Sequence, residues 1–177
     1  DYKEKVKATQ TDKHNKVIYI YANDTKAQHS YIKAAKDYGY DVLEMDTIID
    51  NHFMQHIEYK GNEVTFVRVD SETPDNLVQK EETKESVLSQ AEQDKVKDIF
   101  TKSIKNLGMG NIELKALSPT DHPVMITRPE FMRRMKEMQA MQGMDMNMFP
   151  DSHNVVINTN HPLVADKLVK MKSEDKK

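Results

Sequence analysis

Two histidines four positions apart, His52 and His56, have the side-chain type and spacing that could bind a metal ion. Residues four apart share one face of a helix, so both imidazoles could reach a single zinc ion. Zinc hydrolases with this spacing carry a glutamate directly after the first histidine, where this sequence has Phe53. The pattern also offers no third ligand. We therefore interpret the pair as polar residues of a helix surface and expect no metal site.

Other catalytic chemistries find no support in the sequence. The 177 residues contain no cysteine, which excludes disulfides, thiolate metal sites and cysteine nucleophiles and is typical of a reducing cytoplasm. Gly108 and Gly110 lack the strand-to-helix context and the lysine of a phosphate-binding loop. No serine lies in a nucleophile elbow, and no carboxylate pair stands out from the general charge. We expect that this chain is not an enzyme and holds no cofactor.

Composition indicates a soluble globular protein without a nucleic-acid or membrane partner. Lys and Arg number 26 against 29 Asp and Glu, and a net charge of −3 provides no basic field for nucleic acid. No apolar run approaches the roughly 20 residues that span a bilayer. We expect a cytoplasmic location. The sequence opens at Asp1 without an initiator methionine, from which we expect an excised piece of a longer protein.

Methionine is concentrated in one segment, 125–149, which holds eight of the twelve methionines of the chain. At about 100° per residue, four apolar side chains fall within roughly 120° of one another: Phe131, Met132, Met135 and Met138. This spacing predicts an amphipathic helix from 127 to about 142, and the spacing alone favours a stripe buried in a core. A looser methionine-bearing loop should follow as far as Phe149.

Two features favour an exposed binding surface instead. The methionines continue past Gly143 as MDMNMF, where helical packing no longer organises them. Methionine is the adaptable residue of surfaces that accept many partners. A wholly buried core would use the stiffer Leu, Ile and Val, and none of these occurs between Glu130 and Phe149.

Periodic apolar runs predict the elements that must position these residues. Residues 16–22, 42–45 and 63–70 read as strands, and residues 25–38 and 48–57 read as helices. The alternating order predicts a small three-layer α/β subdomain over residues 1–70, with crossover helices packed on a sheet.

The second half of the chain is predicted to contain a linker followed by a separate domain. Residues 71–88 are polar, highly charged and contain Pro74, so we predict a linker there. An α+β domain should follow over 89–177, which makes the overall class α/β or, over both parts, α+β. Its helix from 89 to about 106 opens with a Ser89–Glu92 capping box, and Thr127 should cap the methionine helix in the same way. Strands are expected at 112–117 and 124–127, paired with each other, and at 154–158, and a last helix begins at Pro162.

The order of these segments resembles the heat shock protein 90 family of chaperones, and its bacterial members in particular. DVLEMDTIIDNHFMQ and PVMITRPEFMRRM are the most specific stretches, and the likeness covers nearly the whole chain. The resemblance implies that residues 1–70 end a middle domain and that 89–177 form a C-terminal domain without its final dimerisation helices. It implies a homodimeric parent protein that binds ATP and Mg outside this chain, while the fragment itself is expected to be monomeric.

The resemblance also implies two client-contact regions. In the helix after DTIID, the contact positions hold Asn51, His52 and Gln55, where bacterial members have an acidic residue, Trp and Asn. In the methionine helix, the apolar contact positions fall on Phe131, Met135 and Met138, beside Met132. Gln139 replaces an expected aromatic residue there.

We therefore predict a fragment of an ATP-dependent chaperone that binds partly unfolded client proteins through these two helices. The alternative is a purely structural role, in which the segment assembles the dimer and carries the ATPase domain without a client surface of its own.

Overall fold

The computed structural model describes residues 1–47, 49–61, 63–80, 84–104, 110–141 and 152–171. The chain divides into two compact units, Asp1–Glu82 (unit 1) and Thr83–Lys177 (unit 2). The predicted methionine-bearing loop, 143–149, lies outside the described residues. In the part of the chain that is described, no helix combines the length and apolar character needed to cross a membrane.

Unit 1 is built on a parallel three-stranded sheet in the order β2-β1-β3. Its strands are β1 (Val17–Ala22), β2 (Val42–Glu44) and β3 (Val64–Arg68). The central strand β1 is buried along almost its whole length, as its run of β-branched and aromatic residues predicts, because a parallel sheet is covered on both faces.

Helices lie on both faces of this sheet: α1 (Tyr2–Lys7), α2 (His29–Asp37), α3 (Asp50–Gly61) and α4 (Pro74–Leu77). On one face, Ala35 of α2 and Leu77 of α4 join the core formed by β1. On the other face, Met54 of α3 packs with Tyr21 and Phe66. The predicted α/β class is confirmed.

The helix expected at 25–38 begins four residues later, because side chains fix a turn before it. The Asp24 carboxylate accepts the N–H groups of Lys26 and Ala27 at 3.1 and 2.9 Å. The Gln28 side-chain oxygen accepts those of Asn23 and Asp24, both at 3.0 Å. Such local bonds offer the backbone an alternative to helical hydrogen bonds.

The segment interpreted as a linker, 71–88, contributes its first half to unit 1. Pro74 lies in the first turn of α4, and Leu77 and Val78 enter the core, where they are 2% and 0% exposed. Thr73, immediately before the helix, is fully buried. The boundary between the units, after Glu82, falls within the segment 71–88.

Unit 2 contains α5 (Gln90–Ser103), β4 (Ile112–Lys115), β5 (Val124–Thr127), α6 (Glu130–Met141), β6 (Asn154–Asn158) and a short π-helix (Leu163–Leu168). The sheet order is β4-β6-β5, with β6 parallel to β4 and antiparallel to β5. The predicted pairing of β4 with β5 is therefore wrong. The burial patterns agree with the central position of β6. Its last four residues are buried, whereas β5 alternates exposed and buried side chains.

The core of unit 2 joins Val96 of α5 and Val164 of the π-helix to one face of β6. The Ser89–Glu92 pair at the start of α5 is confirmed, since the Glu92 carboxylate accepts the Ser89 N–H at 2.9 Å and the Ser89 hydroxyl at 2.7 Å. Thr127 is not the cap of α6: it is the last residue of β5, paired with Asn154.

Candidate functional site

The methionine helix α6 carries an unusual distribution of exposed side chains. The aromatic ring of Phe131 is 74% exposed, and Met132 and Met135 are half-buried. Among the described residues, the buried core clusters of both units include no side chain of α6. We name Phe131, Met132 and Met135 the α6 surface. Met138 lies within the helix, but its side chain falls outside the described part.

Charged side chains at the start of α6 are held together and partly covered. The Glu130 carboxylate accepts from the Nε of Arg134 at 2.8 Å and also contacts the guanidinium of Arg133. The Arg133 side chain is only 10% exposed. A carboxylate in the first turn also interacts favourably with the helix dipole. In the first turn of α6, the cationic Arg133 side chain is thus mostly shielded from solvent, whereas the aromatic Phe131 ring is exposed. This is the reverse of the usual arrangement.

The second candidate helix, α3, is firmly attached to unit 1 through its inner face. Met54 is buried, and the Glu58 carboxylate accepts the backbone N–H of Phe66 in β3 at 2.7 Å. At the start of the helix, the Asp50 carboxylate accepts the N–H of Thr47 at 2.8 Å. These contacts fix which side of α3 faces solvent.

The structure places two of the three predicted α3 residues in solvent, since His52 and Gln55 are exposed and Asn51 is half-buried. Sequence reasoning missed two apolar neighbours, Ile49 and Phe53, which are 70% and 50% exposed. Their four-residue spacing was the signal that could have identified them. We name the group formed by four of these side chains the α3 outer face: Ile49, His52, Phe53 and Gln55.

The structure does not complete a metal site around His52 and His56. Both rings are exposed on α3. Across the residues that the structure describes, no group of three or more histidine, aspartate and glutamate side chains is arranged to hold a metal ion. The two candidate surfaces therefore offer apolar contact and hydrogen bonding as their chemistry.

The α3 outer face belongs to unit 1, and the α6 surface belongs to unit 2. Each surface combines exposed apolar side chains with a polar or charged border. Exposed aromatic and methionine side chains next to polar groups are typical of protein-binding surfaces.

Comparison with known proteins supplies the family. A family model described as Hsp90 protein matches residues 1–177. A chaperone protein HtpG of Porphyromonas gingivalis is 38% identical over 98% of this chain and 26% of its own length. HtpG chaperones of Bacteroides fragilis and Bacteroides thetaiotaomicron are each 39% identical, over 98% and 95% of this chain and 26% and 25% of theirs. The chain thus spans about a quarter of the length of these relatives, and it belongs to the Hsp90 protein family.

Proposed function

We propose that this chain is a client-binding part of a cytoplasmic, ATP-dependent chaperone. Partly unfolded polypeptides bind to the α6 surface and to the α3 outer face. The observation that carries the proposal is the reversed exposure in the first turn of α6, where the Phe131 ring is 74% exposed and the Arg133 side chain 10%. Membership of a family whose relatives are named chaperones supports the same role.

The chemistry of both surfaces suits ligands of variable sequence. An unfolded client exposes apolar side chains without a fixed shape, so its receptor must adapt. Methionine has three rotatable bonds and a polarisable sulfur, and it repacks at little strain. Met132 and Met135 supply this adaptability, while Phe131 supplies a rigid aromatic contact of large area.

ATP has no role at these two surfaces. Neither carries a phosphate-binding glycine loop, and in our proposal nucleotide and Mg bind to another part of the parent protein. Dimerisation likewise belongs to the proposed parent protein. Client contact is the function that we assign to α3 and α6 themselves.

The double variant Phe131→Ser with Met135→Ser tests the proposal. Removing the apolar contacts of the exposed Phe131 and the half-buried Met135, about 0.7 kcal/mol each, should weaken client binding roughly tenfold, because 1.4 kcal/mol corresponds to a factor of ten. The measurement is fluorescence anisotropy with a labelled, permanently unfolded polypeptide. Suppression of aggregation of a heat-unfolded reporter protein, followed by light scattering, provides a second readout.

Val87→Ser is the matched control, because Val87 is 66% exposed and lies outside both surfaces. It should leave client binding unchanged. The double variant should also keep the melting temperature of the parent chain. If instead it bound clients normally and melted at a lower temperature, these side chains would be part of a core, and the purely structural role would be correct.

A further inference from the structure

The outer edge of β4 directs backbone hydrogen-bonding groups away from its own sheet. β4 runs parallel to β6, with Ile112 opposite Val155. The carbonyls of Asn111 and Lys115 accept N–H groups from β6 and the residue after it, at 2.8 and 2.9 Å. Successive residues of a strand point their backbone groups to alternate sides. The N–H and C=O groups of Ile112 and Leu114 therefore point outward, away from β6.

At the corresponding edge of the sheet in unit 1, an outward backbone N–H group is already hydrogen-bonded. There the outward N–H of Phe66 in β3 is bound by the Glu58 carboxylate at 2.7 Å. Within the described ranges of unit 2, the sheet has no strand beyond β4, and the backbone hydrogen bonds of β4 there lead to β6 and its flanking residues. An edge that keeps its donors and acceptors unpaired can accept another strand.

A groove runs along this edge. It has a volume of about 370 Å³ and lies between β4 and one side of α5. Asp94 and Lys97 line it from the helix, and Glu113 and Lys115, themselves paired at 3.6 Å, line it from the strand. The groove wall thus carries both signs of charge and favours neither an acidic nor a basic ligand. The side chains of Ile112 and Leu114 pack toward the core beneath it.

The outward backbone groups of β4 and the mixed charge of the groove favour a ligand that binds through its backbone and not through charged side chains. A helical ligand uses its own N–H and C=O groups internally and leaves the edge unsatisfied, whereas an extended segment presents free groups at the spacing that a strand requires. We infer that the outer edge of β4 binds an extended segment of a polypeptide as an additional strand of the sheet. An unfolded client offers such a segment whatever its sequence. The inference rests on the proposed function only in taking an unfolded polypeptide as the ligand.

Amide hydrogen exchange in the whole chain, read residue by residue by NMR, tests this inference. The probe is a six-residue peptide of alternating threonine and valine. In the free protein, the amides of Glu113 and Lys115 should be protected and those of Ile112 and Leu114 should exchange quickly. With nine-tenths of the sites occupied, exchange at Ile112 and Leu114 should slow roughly tenfold, because only the free fraction exchanges.

A peptide of the same sequence, N-methylated at every peptide nitrogen, is the matched control. It keeps the side chains and the carbonyls, but it lacks N–H donors, and its N-methyl groups prevent it from approaching the edge as a strand. It should therefore leave exchange at Ile112 and Leu114 unchanged. Equal protection by both peptides would overturn the inference, as would protection by neither at millimolar concentration. Repeating the titration with the Phe131→Ser and Met135→Ser chain separates the two proposals: edge protection persists if β4 binds by itself, even where client binding through α6 is lost.

Discussion

At the scale of single residues, Phe131 and Arg133 are the basis for proposing that α6 contacts a partner. Two positions apart on one helix, the aromatic ring is exposed and the guanidinium is covered. Glu130 contributes to this arrangement, because its carboxylate contacts both Arg133 and Arg134 and so lowers the cost of covering the Arg133 cation. The three charged side chains all belong to α6, so these ion pairs stabilise the helix itself.

Another residue pair, Arg68 and Asp70, matters for stability. The guanidinium donates two hydrogen bonds to the carboxylate, at 2.6 and 3.0 Å, and both side chains are less than a tenth exposed. Asp70→Asn removes the charge of a carboxylate that is paired with a buried cation, so we expect a loss of about 3 kcal/mol in the free energy of unfolding. Urea denaturation of the chain measures this loss.

An exposed ion pair of the same unit provides the comparison. Glu4 lies 4.0 Å from Lys7, and both side chains are more than half exposed. Glu4→Gln should change the free energy of unfolding by less than about 0.5 kcal/mol. If Asp70→Asn proved equally harmless, the buried Arg68 would be compensated by other groups, and the pair would not stabilise unit 1.

At the scale of elements, the start of α5 is defined by the carboxylate of Glu92. Hydrogen bonds from the Ser89 hydroxyl and backbone N–H lower the pKa of Glu92 below its ordinary value. A lowered pKa in the folded state means that the stabilisation is fully present above the pKa of the unfolded chain. It is lost as the pH falls through the folded-state pKa.

Glu92→Gln should therefore destabilise α5 at neutral pH, and the difference from the parent chain should vanish on acidification. We expect the two stabilities to converge once the pH has fallen through the folded-state pKa of Glu92. Urea denaturation followed by far-ultraviolet circular dichroism, repeated from pH 7 to pH 3, measures this convergence. A difference that stayed constant over the whole range would show that the charge of Glu92 contributes nothing to the cap.

Elements with strong periodicity could be predicted from the sequence, and those defined by distant contacts could not. The three strands of unit 1 and the helix α5 lie close to their expected bounds, because apolar spacing and a cap are local signals. α4 was not predicted, because it lies in a charged segment in which Leu77 and Val78 are the first aliphatic residues after Val69. The central place of β6 depends on pairing with β4, 43 residues away along the chain, and with β5, 27 to 33 residues away, which no local pattern encodes.

The candidate site could likewise be predicted only in part from the sequence. Periodicity identified the apolar face of α6, but exposure of Phe131 depends on which surfaces surround the helix, and spacing alone favoured a core. On α3, the family resemblance pointed to Asn51, His52 and Gln55. It did not indicate Ile49 and Phe53, which are exposed although the neighbouring Met54 is buried.

At the scale of the whole molecule, each unit contains its own buried core. Two clusters lie in unit 1, and two others lie in unit 2. Ile157→Ala in the fully buried centre of β6 should lower the free energy of unfolding of unit 2 by about 3 kcal/mol. Hydrogen exchange followed by mass spectrometry should show faster exchange confined to 83–177. Equal loss of protection throughout residues 1–82 would mean that the two units unfold as one.

The central claim is that the α6 surface of this Hsp90-family chain is available to clients. The absence of cysteine from the sequence allows a direct measurement, because Phe131→Cys introduces a single thiol. A photo-crosslinker attached to this thiol should label a partly unfolded client, and the same probe at Val87→Cys should not. The Phe131→Cys thiol should also react with a maleimide as quickly as an unfolded peptide does. A slowly reacting thiol, or a crosslinker at position 131 that labels no client, would contradict the account.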